Sequence, residues 1–160
     1  LETFLLLGAN LGDRVTTMSR AVELIAQQVG KIIRQSSLYE TAPWGVTEQP
    51  SYLNQVLLVE TALAPQPLLE HTQAIEYELG RVRLDKWGAR LIDIDILYYE
   101  QQAIRTETLS IPHPYLHLRR FTLMPLTEIA PHYRHPVLQK TTQELLNECP
   151  DTSDVAIFNF

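Results

Sequence analysis

The sequence predicts an α+β fold: a ferredoxin-like split βαβ sandwich with a mainly antiparallel sheet. Three observations carry that expectation. Strand-like and helix-like apolar patterns follow one another in the order strand–helix–strand–strand–helix–strand. Both helix-like stretches stop at a glycine, Gly30 and Gly80. The chain also has the size and make-up of one hydrophobic core, with 160 residues, 45% hydrophobic, 20% charged and a mean hydropathy of −0.10. Residues 1–160 are therefore read as a single domain.

The elements follow in order. Thr3 to Leu7 is a short apolar run ended by Gly8, as expected of a buried strand. Gly12 and Asp13 supply a turn and an N-cap, after which Val15, Met18, Val22, Ile25 and Val29 recur at helical spacing up to Gly30. Ile32 to Tyr39 reads as a second strand. Thr41 to Ser51 holds Pro43, Gly45 and Pro50 and has the length of a functional loop. Tyr52 to Thr61 reads as a third strand, alternating through Val56 and Leu58. Pro65 and Pro67 open a second helix with the stripe Leu68, Leu69, Thr72, Ile75 and Leu79. A basic loop leads into the strand Leu91 to Tyr99. Beyond Glu100 the sequence suggests a hairpin arm, proline-punctuated segments at 111–114 and 125–136, and a short helix near Thr142 to Glu148.

Composition excludes several classes of function. No run approaches the ~20 apolar residues a membrane span requires. The opening run Phe4 to Leu7 is too short, and lacks the basic flank, for a signal peptide. A single cysteine, Cys149, rules out an internal disulfide framework and fits a reducing, cytoplasmic setting. Net charge is −6, from 19 acids against 13 Lys plus Arg, whereas a nonspecific nucleic-acid binder would be basic. Yet Arg81, Arg83, Lys86 and Arg90 crowd into ten residues. An acidic chain that gathers cations in one place is suited to a small anion.

Asp93-Ile94-Asp95 is the strongest local signal. Strand alternation turns Ile92, Ile94 and Ile96 one way and both aspartates the other, with the two Asp Cα atoms roughly 7 Å apart. Two carboxylates on one face of an apolar strand repel each other unless a cation lies between them. Mg²⁺ is the natural choice, being held by one or two carboxylates with phosphate and water completing the shell. By itself the pair reads equally well as surface acids. The arginines alongside favour a nucleotide–metal site, since guanidinium groups pair with phosphate oxygens.

Other residues keep two readings each. Gln73 and Glu76 fall at the margin of the second helix's apolar stripe, within reach of a site or merely polar. His113, fixed between Pro112 and Pro114, either donates to a phosphate or nucleobase or caps a turn; Arg119 and Arg120 follow it. Thr41, Pro43, Trp44, Tyr52 and Asn54, with Phe121 opposite, suit a flat heteroaromatic ligand, although any one aromatic serves a core equally well. The histidine gaps 113/117 and 132/135 are broken by prolines and no HExxH occurs, so a zinc site is rejected. Gly8 to Arg14 lacks both the P-loop and the GxGxxG pattern, and no GxSxG is present.

Nearly end to end, the chain resembles the 6-hydroxymethyl-7,8-dihydropterin pyrophosphokinase family of folate biosynthesis. The stretches that carry the resemblance are LGANLGDR (7–14), YETAPWG (39–45), QPSYLN (49–54), GRVR (80–83), WGARLIDIDIL (87–97), IPHP (111–114) and RRFTLMPLTEIAP (119–131). It implies a Mg-dependent diphosphotransferase that moves an intact diphosphate from ATP to the pterin's hydroxymethyl group and releases AMP. Asp93 and Asp95 match the acids that hold two Mg²⁺ ions, and Arg81, Arg90, His113 and Arg119 match residues around the phosphates. Gln73, Glu76, Arg83, Trp87, Ile96 and Ser110 match ATP-site positions. Tyr52 and Phe121 match the pair that sandwiches the pterin, with Thr41, Pro43, Trp44 and Asn54 at its edge. The resemblance also implies loops that close over the site, here residues 8–13, 42–50 and 83–87. A monomer without nucleic-acid or membrane partners is expected.

The chain departs from the family's usual residues at several points. Ala89 stands where proline is common, and 84–86 is a residue shorter than in some relatives. Thr108 stands where some members place a phosphate-binding Arg, and Tyr115 and Leu118 replace the more usual Arg and Glu. Two other classes remain as alternatives. A different metal-dependent nucleotidyl- or phosphotransferase would release pyrophosphate or ADP and would not need Tyr52 and Phe121. A ferredoxin-like RNA-binding module is disfavoured by the acidic balance and would lose affinity steeply with salt.

Overall fold

In the computed structural model, residues 1–41, 51–80 and 91–159 are described. The first strand, β1 (Glu2–Ala9), is buried along all but its first residue. That suits a strand hydrogen-bonded on both edges and covered on both faces. Asp13 then caps helix α1 (Arg14–Gln28), accepting from the Thr16 amide at 3.1 Å and the Thr16 hydroxyl at 2.8 Å. Met18, Ala21, Leu24 and Ile25 form its buried face; Met18 and Ile25 of the expected stripe lie on it and Val29 just after the helix is buried, whereas Val15 and Val22 are half-buried.

The predicted strand 32–39 is divided in the structure. It comprises β2 (Gly30–Gln35) and β3 (Tyr39–Thr41), both paired antiparallel to β4 (Tyr52–Thr61). Ser36 explains the break: its hydroxyl, not a backbone carbonyl, accepts the Val56 amide at 3.0 Å, while its own amide donates to the Val56 carbonyl at 2.9 Å. Gly30 begins β2 and does not serve as a left-handed helix stop. A Cβ there would lie 2.0 Å from the Glu60 carbonyl oxygen, so the residue is glycine because two backbones nearly touch. β4 does not alternate between buried and exposed either. Residues 53–59 are all buried, because helices cover both sides of the sheet.

Helix α2 (Pro65–Gly80) starts and ends where the prolines and Gly80 suggest. Strand β5 (Asp93–Tyr99) follows, then a two-strand arm of β6 (Ile104–Arg105) and β7 (Ser110–Ile111). A short 3₁₀ turn at Leu116–Leu118 precedes α3 (Arg120–Ile129), a helix the proline-punctuated sequence did not suggest. Pro125 lies inside it and removes one helical hydrogen bond. Burial of Thr122, Leu123, Leu126 and Ile129 against the sheet overrides that local cost. Helix α4 (Thr142–Glu148) carries a capping box of Thr141 and Glu144. A last strand, β8 (Val155–Ile157), also not suggested by the sequence, pairs with β3.

The main sheet runs β5-β1-β4-β3-β8, with β2 also on β4, and every pairing is antiparallel. One apolar cluster lies under α1 and α2, around Leu5, Leu7, Ile25, Leu57 and Ile75. A second lies under α3 and α4, around Phe4, Leu6, Val56, Leu123 and Leu126. The fold is a mixed α/β domain with helices on both faces. Among the described residues, no helix is long and apolar enough to cross a membrane.

Candidate active site

The site grows from one row of the sheet. Register pairs Asp93 of β5 with Gly8 of β1, Gly8 with Asn54 of β4, and Asn54 with Tyr39 of β3. Residues directly opposite in antiparallel strands share a face. Asp95 sits on the next row on that same face, opposite Leu6. The two aspartates thus flank the end of the α3-side cluster while Ile94 and Ile96 point into the α1/α2 core, as alternation predicts. A bulge further along the β1–β5 pairing, where Phe4 faces Tyr98 and Leu5 faces Ile96, places Leu97 and Tyr98 in the α3-side cluster together.

β5 is an edge strand, and its outer edge is occupied by site residues. The Glu76 carboxylate of α2 accepts the Ile94 amide at 2.7 Å. The His113 amide donates to the Leu97 carbonyl at 3.0 Å, which fastens the loop after β7 to β5 and brings the His113 ring alongside Asp95. Nε2 lies 3.9 Å from Asp95 Oδ2, and the side chain of Asp95 is 40% exposed. Nδ1 accepts the Tyr115 amide at 3.2 Å, so the neutral ring carries its proton on Nε2, facing the acid. Burial pushes the imidazole below its usual pKa; Asp95 opposes this and Arg119 adds to it. The Arg119 guanidinium itself lies 5.1 Å from the Tyr115 ring centroid and 5.5 Å from that of Phe121.

On the other side of Gly8 the polarity changes in kind. Asn54 is buried, with its amide nitrogen donating to the Leu7 carbonyl at 3.3 Å and its Oδ1 unpartnered. Thr41, at the end of β3, has a buried hydroxyl that is also unpartnered. Both atoms lack a partner among the described residues, and buried polar atoms are rarely left so in a folded protein. A Cβ on Gly8 would lie 2.7 Å from Asn54 Nδ2, so the space between the acids and the amide depends on that glycine. Tyr52 is exposed, while Phe121 is half-buried against the α3-side core.

Of the other sequence candidates, Gln73 lies on the exposed side of α2 and not at its margin. Ile96 has its side chain in the α1/α2 core, and Ser110 is half-buried in β7. Pro43, Trp44, Arg81, Arg83, Trp87 and Arg90 lie outside the described residues, as do the loop segments 42–50 and 83–87. The sequence reading gave no role to Tyr39 or to Glu128 of α3, whose carboxylate accepts the Tyr39 hydroxyl at 2.6 Å. It also gave no role to Arg14. Neither has a signal in local spacing, because the partners are 89 and 26 residues away along the chain.

The chemistry of the two carboxylates would suit a hard divalent cation. Two carboxylates share a face, and no group of three or more metal-ligating side chains forms among the described residues. The family model for 7,8-dihydro-6-hydroxymethylpterin-pyrophosphokinase matches residues 4–131. A 2-amino-4-hydroxy-6-hydroxymethyldihydropteridine pyrophosphokinase of Aquifex aeolicus is 42% identical over 145 residues, covering 91% of this chain and 90% of the relative. The Bacillus subtilis protein of that name is 45% identical over 127 residues, 79% of this chain and 76% of its own. The solved HPPK-DHPS protein of Plasmodium falciparum shares the fold, with a TM-score of 0.75 at 20% identity over 92% of this chain. This chain spans 44% of that larger one.

Proposed function

The chain belongs to the 7,8-dihydro-6-hydroxymethylpterin-pyrophosphokinase family and is a pyrophosphokinase of folate biosynthesis; from that premise we propose how its residues divide the reaction. Diphosphate passes from ATP to the hydroxymethyl oxygen of 6-hydroxymethyl-7,8-dihydropterin. That oxygen attacks the β-phosphorus in line and loses its proton to solvent, the bond from the β-phosphorus to the oxygen bridging it to the α-phosphorus breaks, and AMP leaves. The observation that carries the division is the sheet row Asp93–Gly8–Asn54, with acids on one side of a bare glycine and unpartnered polar atoms on the other.

On the donor side, Asp93 and Asp95 are the residues that would hold Mg²⁺, two ions being expected with ATP. When bound, the metal neutralises phosphate charge and lowers the pKa of a coordinated alcohol. The His113 Nε2–H and the Arg119 guanidinium offer donors beside the acids, for phosphate oxygens. Arg81 and Arg90 are assigned there by motif. Gln73, Glu76, Arg83, Trp87, Ile96 and Ser110 are assigned to the nucleotide, Ile96 through its backbone alone. On the acceptor side, Asn54 Oδ1 and the Thr41 hydroxyl read the pterin's polar edge, and Tyr52 and Phe121 flank its faces. Pro43 and Trp44 complete that edge by motif.

We read the four strands β5-β1-β4-β2, with α1 and α2 on one face, as the ferredoxin-like core, extended by α3, α4 and β8 within a single domain. We propose a cytoplasmic monomer. The lone cysteine, Cys149, fits a reducing compartment.

The test is product analysis with ATP, Mg²⁺ and the hydroxymethyl pterin. AMP is expected in step with pterin diphosphate, falling by about a hundredfold or more in Asp95→Asn. Formation of ADP instead, or of AMP without pterin, would overturn the reading.

A further inference from the structure

Arg14 is the first residue of α1, where a cation opposes the helix dipole, so helix formation gives it no reason to be there. Its contacts are instead long-range. One terminal nitrogen, Nη1, donates to the Glu40 carboxylate at 3.0 Å and to the Ser51 carbonyl at 2.7 Å. The guanidinium carbon lies 5.5 Å from the centroid of the Phe158 ring, and the side chain is only 21% exposed. Glu40 and Ser51 border opposite ends of the stretch that begins at Thr41 and resumes at Tyr52. Beside these two contacts, on β3 and β4, lie three of the residues assigned to the acceptor: Thr41, Tyr52 and Asn54. None of the residues given to ATP lies there.

We propose that Arg14 is a positioning residue for the acceptor. It ties Glu40 of β3 and Ser51 just before β4 to each other and to α1, and Phe158 of the C-terminal segment shields the tie from water. A guanidinium suits this task, because one nitrogen presents two divergent N–H donors in a fixed plane while the cation rests on an aromatic ring. The rest of the molecule contributes through the second partner of β3. β8 pairs with it, placing Val155 opposite Thr41, and leads directly to Phe158. The inference rests on the acceptor assignment made above.

The experiment measures pterin binding in the presence of Mg²⁺ and a non-hydrolysable ATP analogue, and analogue binding separately, for Arg14→Met, Arg14→Lys, Glu40→Gln and Asn54→Ala. Methionine keeps an apolar stem against Phe158 and removes both donors. The expected result is pterin affinity weakened about tenfold in Arg14→Met, the scale of a lost charge-assisted hydrogen bond, with analogue affinity within about twofold. Arg14→Lys restores little, and Glu40→Gln, which keeps an acceptor, loses less than Arg14→Met. Equal losses for both ligands, or normal pterin binding in Arg14→Met, would overturn the proposal. If Arg14→Met does not fold, Glu40→Ala decides on the same terms. Asn54→Ala separates the two levels. Pterin loss there with none in Arg14→Met refutes the tie alone, whereas normal pterin binding in Asn54→Ala refutes the acceptor assignment and the tie with it.

Discussion

Gly8 and Gly30 both sit in strands and both exclude a side chain, but what they would strike differs. At Gly30 the obstacle is the Glu60 backbone, whose carbonyl oxygen is 2.0 Å from where a Cβ would stand, and backbone inside a sheet cannot step aside. Gly30→Ala is expected to cost about 2–3 kcal/mol of stability, read from the urea midpoint. At Gly8 the obstacle is the tip of the Asn54 amide at 2.7 Å, which can rotate. Gly8→Ala is therefore expected to unfold at nearly the parental midpoint yet weaken pterin binding by about tenfold or more, because Asn54 Oδ1 leaves its position. A titration of the pterin against each variant separates the two. Asp93 and Asp95 were legible in the sequence because strand alternation is a local rule. The emptiness between them and Asn54 was not, since Gly8 stands 46 residues from Asn54 and 85 from Asp93 along the chain.

Among the elements, α3 shows where local reading fails. Pro125 argues against a helix, yet the chain gains more by laying Leu123, Leu126 and Ile129 on the sheet than it loses at one hydrogen bond. α1, α2 and α4 were legible from periodicity, caps and flanking prolines, and α4 has the residues the sequence suggested. β8 was not, because three residues carry no period. The helix α3 also supports β3. Glu128 accepts the Ser37 amide at 3.0 Å and the Tyr39 hydroxyl at 2.6 Å, while the Arg34 guanidinium donates to the Ile129 carbonyl at 2.6 Å. Burial, then Glu128, push the Tyr39 phenol well above its ordinary pKa. Glu128→Ala is expected to cost about 1 kcal/mol, the group being open to solvent. It should also speed amide exchange at Ser37, measurable by NMR.

For the molecule as a whole, stability should depend on pH through buried histidines. His135 is 5% exposed, and its Nδ1 accepts the amides of Val137 and Leu138 at 3.1 and 3.0 Å. Burial, with His117 nearby, lowers its pKa, so the folded state favours the neutral ring. The unfolded chain takes up that proton first as pH falls. The contribution is therefore complete above the ordinary value of 6.5 and is lost from there down towards the lower folded value. His113 is shifted the same way and adds to the slope. His135→Asn keeps an acceptor for the two amides and removes one titration. Its midpoint should change less between pH 7 and pH 5.5 than the parent's, and an unchanged slope would refute the assignment.

The acids lie on the border of the sheet, where an open strand normally invites another chain to add on and begin a fibre. Here the Glu76 carboxylate covers the Ile94 amide and the His113 amide covers the Leu97 carbonyl. The contacts that build the site are also what keep its strand from recruiting a copy of itself.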